Sequence, residues 1–121
     1  MSKTILIVDD STSMRQLVKM TLTNAGHQVI EAVDGRDALS KLNGQKINLI
    51  ISDVNMPNLD GIGLVKEIKT RNEYRFTPIV MLTTESEQGK KAEGQAAGAK
   101  AWIVKPFQPQ QLLSAVEKLA S

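Results

Sequence analysis

The fold is decided by residues 47–53, whose sequence is INLIISD. The apolar run Ile47–Ile51 is rich in β-branched side chains and leads into Ser52 and Asp53. Short runs of this composition are typical of β-strands. Because the run is almost uninterrupted by polar residues, we expect a strand that is covered on both faces, as in a parallel sheet.

Four similar runs lie on either side of this stretch, at Ile5–Val8, Val29–Ile30, Ile79–Leu82 and Trp102–Val104. Between them, apolar residues recur at the spacing of helices. These helical positions are Met14, Leu17, Val18 and Leu22; Ala38, Leu39 and Leu42; Ile62, Val65 and Ile68; Ala92, Ala96 and Ala97; and Leu112, Leu113, Val116 and Leu119. Five strands alternating with five helices predict a single α/β domain, a doubly wound parallel sheet. Val29–Ile30 is short and has polar neighbours, so we expect it at a sheet edge.

The composition is that of an ordinary globular domain, with 41% hydrophobic and 23% charged residues in a chain of 121. No cysteine is present, which excludes disulfides and thiolate metal sites. The net charge is +2, but the basic residues are spread from Lys3 to Lys118, so we expect no nucleic-acid partner. No apolar run approaches the roughly 20 residues of a membrane span, and we expect a cytoplasmic protein without membrane insertion.

Chemically active side chains come directly after the predicted strands. Asp9 and Asp10 follow the first strand, Asp53 the third, Thr83 the fourth and Lys105 the fifth. The carboxyl ends of parallel strands share one edge of the sheet, where ligands of such folds bind. Neighbouring carboxylates repel by roughly 4 kcal/mol at an effective dielectric near 20, so the cluster requires a cation. An all-oxygen ligand set favours Mg²⁺.

Each of these residues also has a purely structural interpretation. Asp10, Ser11 and Thr12 precede a helix and are preferred helix caps. Lys105 could be a surface amine, and a tryptophan such as Trp102 more often fills a core than marks a site. The joint arrangement of acids, hydroxyl and amine on one edge favours a functional site.

The turns at Gly26, Gly35, Gly44 and Gly98 predict where helices or strands stop.

Four fragments, in order, resemble a known family. They are residues 5–10 (ILIVDD), 51–61 (ISDVNMPNLDG), 81–85 (MLTTE) and 98–107 (GAKAWIVKPF). At these spacings the chain resembles the receiver domains of bacterial two-component response regulators, and most closely the stand-alone chemotaxis members. The likeness covers essentially the entire chain, so residues 1–121 are expected to form one receiver domain. It implies a flavodoxin-like fold with strand order 2-1-3-4-5.

The resemblance implies that Asp53 accepts a phosphoryl group. It also implies that Mg²⁺, which Mn²⁺ could replace, is held by Asp9, Asp10, Asp53 and the backbone carbonyl of Asn55. Transfer to a carboxylate needs positive charge on the phosphoryl oxygens, and the metal would supply it. Asn55 and Glu85 occupy family positions that tune dephosphorylation, so we expect appreciable self-dephosphorylation.

The same resemblance implies a switch. Lys105 and Thr83 would contact the phosphoryl group, the Lys105-Pro106 peptide bond is expected to be cis, and Trp102 would turn inward behind Thr83. Chemotaxis members usually carry tyrosine at the position of Trp102, and an indole can only donate a hydrogen bond. Gly89 and Gly94 fall in the predicted fourth helix, where each costs about 1 kcal/mol relative to alanine, and suggest a pliable helix.

The implied function is that of a stand-alone chemotaxis response regulator, a signalling protein rather than a classical enzyme. With no appended output domain expected after Ser121, we expect the chain to act by protein contact through the face of helix four, strand five and helix five. We also expect it to be a monomer. The implied partners are a histidine kinase of the CheA type as donor, a downstream protein such as the flagellar motor switch, and a phosphatase.

Other functions fit parts of this pattern. A phosphorelay intermediate or a regulator of another enzyme stays open within the same family. A phosphatase of the haloacid-dehalogenase type would need a second aspartate where Asn55 stands. A flavin-binding module would need glycine in the turn after the first strand, which has none between Asp9 and Ser13. Serine hydrolysis is disfavoured because the only histidine, His27, precedes the second strand, far from the acidic edge.

Overall fold

Strands and helices alternate along the chain, as predicted. The computed structural model describes residues 3–56, 58–83 and 91–120. The elements are β1 (Thr4–Val8), α1 (Thr12–Asn24), β2 (Gln28–Ala32), α2 (Gly35–Lys41), β3 (Leu49–Asp53), α3 (Gly61–Lys69), β4 (Ile79–Thr83), α4 (Lys91–Ala97), β5 (Ala101–Val104) and α5 (Pro109–Leu119). No helix among these described residues is both long enough and apolar enough to cross a bilayer.

The strands form one parallel sheet of order β2-β1-β3-β4-β5, which confirms the predicted fold. Strand β2 lies at an edge, as its polar neighbours predicted. Strands β1 and β3 are adjacent, with Ile7 opposite Ile51. Adjacency of β1 and β3 brings the residues after β1 beside the end of β3, where the site forms.

The sheet separates two apolar cores, because successive side chains of a strand point to opposite faces. On β3, Ile50 packs into a first core with α2 and α3, whereas Ile51 packs into a second core with α1 and α5. Both side chains are almost completely buried. Coverage on both faces explains why β1, β3 and β4 are nearly continuous apolar runs.

The predicted boundaries of β3 were wrong by two residues. The prediction was Ile47–Ile51, but the strand begins at Leu49 and ends at Asp53. Asn48 explains the later start, since its side-chain oxygen accepts a hydrogen bond from the Thr4 amide at 2.8 Å. Ile47 lies before the strand and is nevertheless buried. Likewise, β4 includes Thr83 rather than ending before it.

The glycine turns divide into two kinds. Gly26 and Gly98 have positive φ values of 93° and 120° and follow α1 and α4, where glycine is the favoured residue. Gly35 does not stop an element but begins α2, with Asp34 as the N-cap. Gly94 lies inside α4 as expected, while Gly89 lies outside the described residues.

Candidate functional site

Four of the predicted site residues meet at the carboxyl edge of the sheet. Asp53 and Thr83 are the last residues of β3 and β4, Asp9 follows β1, and Lys105 follows β5. Asp9, Asp53 and Thr83 are buried, with 3%, 7% and 1% of their surfaces exposed. Buried carboxylates are rare in soluble proteins unless a cation accompanies them. Their position therefore marks a built site rather than a solvated surface.

The three aspartates form a compact oxygen cluster. One carboxylate oxygen each from Asp9, Asp10 and Asp53 lies within 4.8 Å of the other two. Asp10 is exposed, whereas its two companions are buried, so the cluster opens to solvent on one side. A cation could therefore enter from the solvent side and keep part of its water shell.

Asp9 has one satisfied and one unsatisfied oxygen. Its Oδ1 accepts a hydrogen bond from the Ser11 amide at 2.8 Å. Its Oδ2 is buried and has no hydrogen-bond partner in the described part of the chain. Burial raises the pKa of Asp9 above its usual range, and the Ser11 hydrogen bond and the nearby charge of Lys105 offset this only in part.

These observations fit a Mg²⁺ site. The donor set consists of oxygen only, as a hard divalent ion requires, and the buried Oδ2 of Asp9 accepts no hydrogen bond from the described residues. Asp9, Asp10 and Asp53 would hold the ion. Mg²⁺ commonly retains several waters and takes few carboxylates, which matches a cluster that is open on one side.

Lys105 places a cation in direct contact with this cluster. Its Nζ lies 3.2 Å from Oδ2 of Asp53 and 3.7 Å from Oδ2 of Asp9. The Lys105-Pro106 peptide bond is cis. The Lys105 amide also donates to the Thr83 carbonyl at 2.6 Å, which ties the end of β5 to the end of β4. The ammonium group is thus held at the acidic edge by the backbone of two strands.

Trp102 and Thr83 share one face of the sheet. Trp102 pairs with Met81 in the β4–β5 ladder, and Thr83 is two residues beyond Met81, so all three side chains point to the same side. Trp102 packs against the first core, and its Nε1 is buried with no hydrogen-bond partner in the described residues. A buried donor without an acceptor costs roughly 1–3 kcal/mol, so the position of the indole is not fully stabilised by the described residues.

The remaining predicted residues are more scattered. Asn55 follows Asp53 in the β3–α3 loop and is exposed, while Glu85 lies outside the described residues. Ser11, one of the residues interpreted as a possible cap, is the N-cap of α1. His27 accepts a hydrogen bond from the Lys3 amide at the opposite, amino edge of the sheet. The structure therefore keeps His27 apart from the acidic cluster, as predicted.

Two residues that support the site were missed at the sequence level. Arg15 donates to the backbone carbonyl of Asp9 at 2.9 Å and is paired with Glu31 at 3.3 Å. Nothing distinguishes a single arginine on a helix in the sequence. Gly61 packs against the end of β3, since an added Cβ would lie 2.3 Å from the Asp53 carbonyl oxygen. Its place in the DG pair at the start of α3 was the available signal.

Replacing Asp9 with asparagine should stabilise the metal-free protein. The substitution removes a buried charge whose Oδ2 has no hydrogen-bond partner, and we expect a gain of about 1 kcal/mol in the free energy of unfolding, the lower end of the cost of such a group. Urea unfolding at neutral pH without divalent ions measures it. Asp10→Asn is the matched control and should change stability less, because Asp10 is exposed. A less stable Asp9→Asn protein would contradict this account.

Comparison with known proteins agrees with the geometry. The family model for the response regulator receiver domain matches residues 5–117 of this chain. A chemotaxis protein CheY homolog of Campylobacter jejuni is 40% identical over 115 residues, which cover 93% of this chain and 88% of that protein. The chemotaxis response regulator CheY4 of Vibrio cholerae superposes with a TM-score of 0.91 at 48% identity, covering 98% of this chain and 99% of that one.

A more distant structure is informative about the site. The receiver domain of a sensor histidine kinase from Pseudomonas aeruginosa, determined with a magnesium ion coordinated in its active site cleft, is 27% identical. It superposes with a TM-score of 0.90 and covers 98% of both chains. The sheet order, the acidic edge and these likenesses together lead to one conclusion: the chain belongs to the family of response regulator receiver domains, with CheY proteins among its similar relatives.

Proposed function

We propose that this chain is a chemotaxis response regulator that accepts a phosphoryl group on Asp53 with Mg²⁺ bound beside it. The observation that carries the proposal is the buried edge where Asp53, Asp9 and Lys105 meet. Three aspartate oxygens within 4.8 Å suit a metal, and the ammonium of Lys105 suits an oxygen anion that is attached to Asp53. Receiver-family membership supports the same assignment.

In the proposed reaction, a carboxylate oxygen of Asp53 attacks the phosphorus atom of a phosphodonor. A new O–P bond forms an acyl phosphate, and the bond from phosphorus to the donor's leaving group breaks, with its electron pair departing on that group. When bound, Mg²⁺ supplies positive charge to the transferring oxygens. The backbone at the end of β3 orients the nucleophile. Directly after Asp53, the Val54 amide donates a hydrogen bond to the Leu82 carbonyl of β4 at 3.1 Å.

After transfer, Lys105 and Thr83 would hold the phosphoryl group. The Lys105 ammonium already lies 3.2 Å from Asp53, close enough to follow a phosphoryl oxygen with little motion of its side chain. Thr83 is buried at the end of the adjacent strand, where its hydroxyl can reach a second oxygen after a small shift. Hydrogen bonds to a charged group are roughly twice as strong as neutral ones, which gives phosphorylation the means to bias a switch.

Trp102 is the proposed output element. It shares a face with Thr83, and its Nε1 has no hydrogen-bond partner among the described residues, so we expect the indole to adopt a second position when Thr83 moves. To change a two-state equilibrium from 1:99 to 99:1, phosphorylation must favour the active state by roughly 5.5 kcal/mol. The switch would alter the surface formed by α4, β5 and α5, where we place the contact with a downstream protein such as the flagellar motor switch.

Trp102 emission should therefore report phosphorylation. Trp102 is the only tryptophan in the sequence, so intrinsic fluorescence has a single source. We expect emission to move to shorter wavelength when acetyl phosphate and Mg²⁺ are added, because the partly exposed indole turns further inward behind Thr83 and loses contact with water. An unchanged spectrum in protein shown by mass to be phosphorylated would remove Trp102 from the switch. The Asp53→Asn protein, which should not respond, is the control.

The names of the relatives support chemotaxis as the pathway. A histidine kinase of the CheA type is the donor that we propose for a receiver domain in such a pathway. A phosphatase that shortens the signal completes the proposed cycle. Asn55 and Glu85 are the residues we propose to tune self-dephosphorylation. Asn55 is exposed next to the acceptor, where its amide could orient an attacking water.

The chemical nature of the product tests the proposal. Protein treated with labelled acetyl phosphate and Mg²⁺ should carry a phosphoryl group that neutral hydroxylamine removes, because hydroxylamine attacks the acyl carbon of an aspartyl phosphate. Phosphoserine and phosphothreonine resist the same treatment. Label that survives hydroxylamine would place the phosphoryl group on a hydroxyl, and the assignment to Asp53 would be wrong.

A further inference from the structure

The loop that carries Asn55 is attached to the start of α2. In the β3–α3 loop, the Nδ2 atom of Asn58 donates a hydrogen bond to Oδ2 of Asp34 at 2.7 Å. Asp34 uses its other carboxylate oxygen to accept from the Asp37 amide at 2.8 Å, as the N-cap of α2. These two hydrogen bonds, the Asp37 amide first and the Asn58 side chain second, lower the pKa of Asp34. One carboxylate thus fastens both the helix and the loop.

A close backbone contact accompanies this hydrogen bond. A Cβ added to Gly35 would lie 2.4 Å from the Leu59 carbonyl oxygen and 2.8 Å from the Leu59 Cβ. Only glycine permits the loop to approach α2 this closely. Leu59 also packs against the first core. We call Asp34, Gly35, Asn58 and Leu59 the loop latch.

The latch controls the middle of a loop whose ends are fixed independently. At one end, the Val54 amide donates to Leu82 on β4, and at the other the Gly61 amide donates to the Val54 carbonyl at 2.8 Å. Between these anchors Met56 is buried, whereas Asn55 is exposed. Among the described residues of the loop, Asn58 makes the one hydrogen bond from a side chain to another element.

Asn58 adopts a conformation that requires such support. Its φ is +69°, in the left-handed region, which asparagine tolerates better than most residues. The hydrogen bond to Asp34 offsets the cost of this conformation. Without it, Asn58 would keep an unfavourable φ with no side-chain hydrogen bond to α2 to offset it.

We infer that the loop latch positions the Asn55 carbonyl for Mg²⁺, so that Asp34 and Asn58 set the metal affinity of the acidic edge without touching the ion. The inference rests on the proposed function, since it assumes that this edge binds Mg²⁺ and that the Asn55 carbonyl is a ligand, as the family resemblance implies. Outer groups that orient metal ligands commonly matter about tenfold to a hundredfold for affinity. The latch has the geometry of a group that orients a metal ligand. It lies at the start of α2, apart from the strand ends that carry the aspartates.

The test is a substitution for which the latch and simple electrostatics predict opposite changes in Mg²⁺ affinity. Asn58→Asp places a second carboxylate against Asp34 and should break the latch, while aspartate still tolerates a positive φ. If only charge mattered, one more carboxylate near the edge would strengthen Mg²⁺ binding. The latch predicts the reverse, a dissociation constant raised by about tenfold, at the low end for groups that orient metal ligands. Isothermal titration calorimetry with MgCl₂ measures it.

A charge swap provides the rescue. In the double variant Asp34→Asn with Asn58→Asp, the new asparagine can donate to the new aspartate and still cap α2, since both residues are good N-caps. The net charge equals that of the wild type, and we expect wild-type affinity. Asn43→Asp, the same change in an exposed turn after α2, is the matched control and should leave Mg²⁺ affinity unchanged.

The outcomes separate the two claims. If the wild type binds Mg²⁺ and Asn58→Asp binds it equally well or more tightly, the latch alone is wrong. A double variant that fails to restore Mg²⁺ affinity would also overturn the latch alone. A wild type that binds no Mg²⁺ would overturn the proposed metal site and the latch with it. If Asn58→Asp does not fold, Asn58→Gly serves in its place, because glycine accepts φ near +69° and deletes the hydrogen bond without adding charge. It too should bind Mg²⁺ more weakly, and equal affinity would count against the latch.

Discussion

Asp53→Asn should take up no hydroxylamine-sensitive phosphate from acetyl phosphate. An amide has no anionic oxygen to attack phosphorus, and no other carboxylate of the cluster is placed like Asp53 at the end of β3 beside Lys105. The substitution nearly preserves side-chain shape, so the fold should survive. The measurement is incorporation of labelled phosphoryl group in the presence of Mg²⁺.

Asp60→Asn is the matched control for this experiment. Asp60 accepts a hydrogen bond from the Gly63 amide at 2.7 Å as the N-cap of α3, and asparagine caps helices equally well. Its uptake should equal that of the wild type. Normal uptake by Asp53→Asn would show that the acceptor lies elsewhere, and loss in both proteins would indicate a general effect of removing a carboxylate from this end of the sheet.

Lys105→Ala should bind Mg²⁺ more tightly yet fail to switch. The ammonium of Lys105 lies 3.2 Å from Asp53 and 3.7 Å from Asp9, so it competes with a metal for the same oxygens. Each such pair is worth roughly 4 kcal/mol at an effective dielectric near 20, and recovery of about a third of one pair gives tenfold tighter binding. Calorimetry with MgCl₂ measures this effect.

The switching half of the prediction uses the phosphorylated protein. Without Lys105, a phosphoryl group on Asp53 loses its charge-assisted contact, and the Trp102 emission shift should disappear even when mass analysis shows full phosphorylation. Lys105→Arg keeps the positive charge and should retain part of the shift. A full emission shift in Lys105→Ala would mean that Thr83 alone operates the switch, and weaker Mg²⁺ binding would contradict the competition argument.

The architecture could be predicted because the strands are nearly pure apolar runs. Sequence periodicity identified five strands and five helices, and the residues after the strands revealed the acidic edge. The boundaries were harder to predict. β3 starts late because the side-chain oxygen of Asn48, rather than a backbone oxygen, accepts the hydrogen bond from the Thr4 amide. Composition carries no signal for a side chain that replaces a backbone acceptor in this way.

Features that depend on long-range packing could not be predicted. The pattern suggested a stop at Asp34-Gly35, but the pair begins α2 and receives the β3–α3 loop from 24 residues away. Arg15 reaches the Asp9 carbonyl because α1 packs beside β1 and β2, a contact that exists only once the sheet is formed. The unsatisfied Nε1 of Trp102 is equally a property of the folded core, not of the sequence.

The proposed switch would differ in one chemical respect from a switch built on tyrosine. A phenol both donates and accepts hydrogen bonds, whereas the Trp102 indole only donates. Its Nε1 is buried without an acceptor in the described residues, so the resting position of the ring is not fully satisfied. We therefore expect the indole to move more readily than a fully paired side chain would.

The most direct test is the intact mass of the wild-type protein after incubation with acetyl phosphate, with Mg²⁺ and with the metal removed by EDTA. The account predicts the gain of one phosphoryl group with Mg²⁺ and little or none without it. No gain in the presence of Mg²⁺ that is shown to bind would contradict it, and the chain would then be a receiver domain that works without phosphorylation.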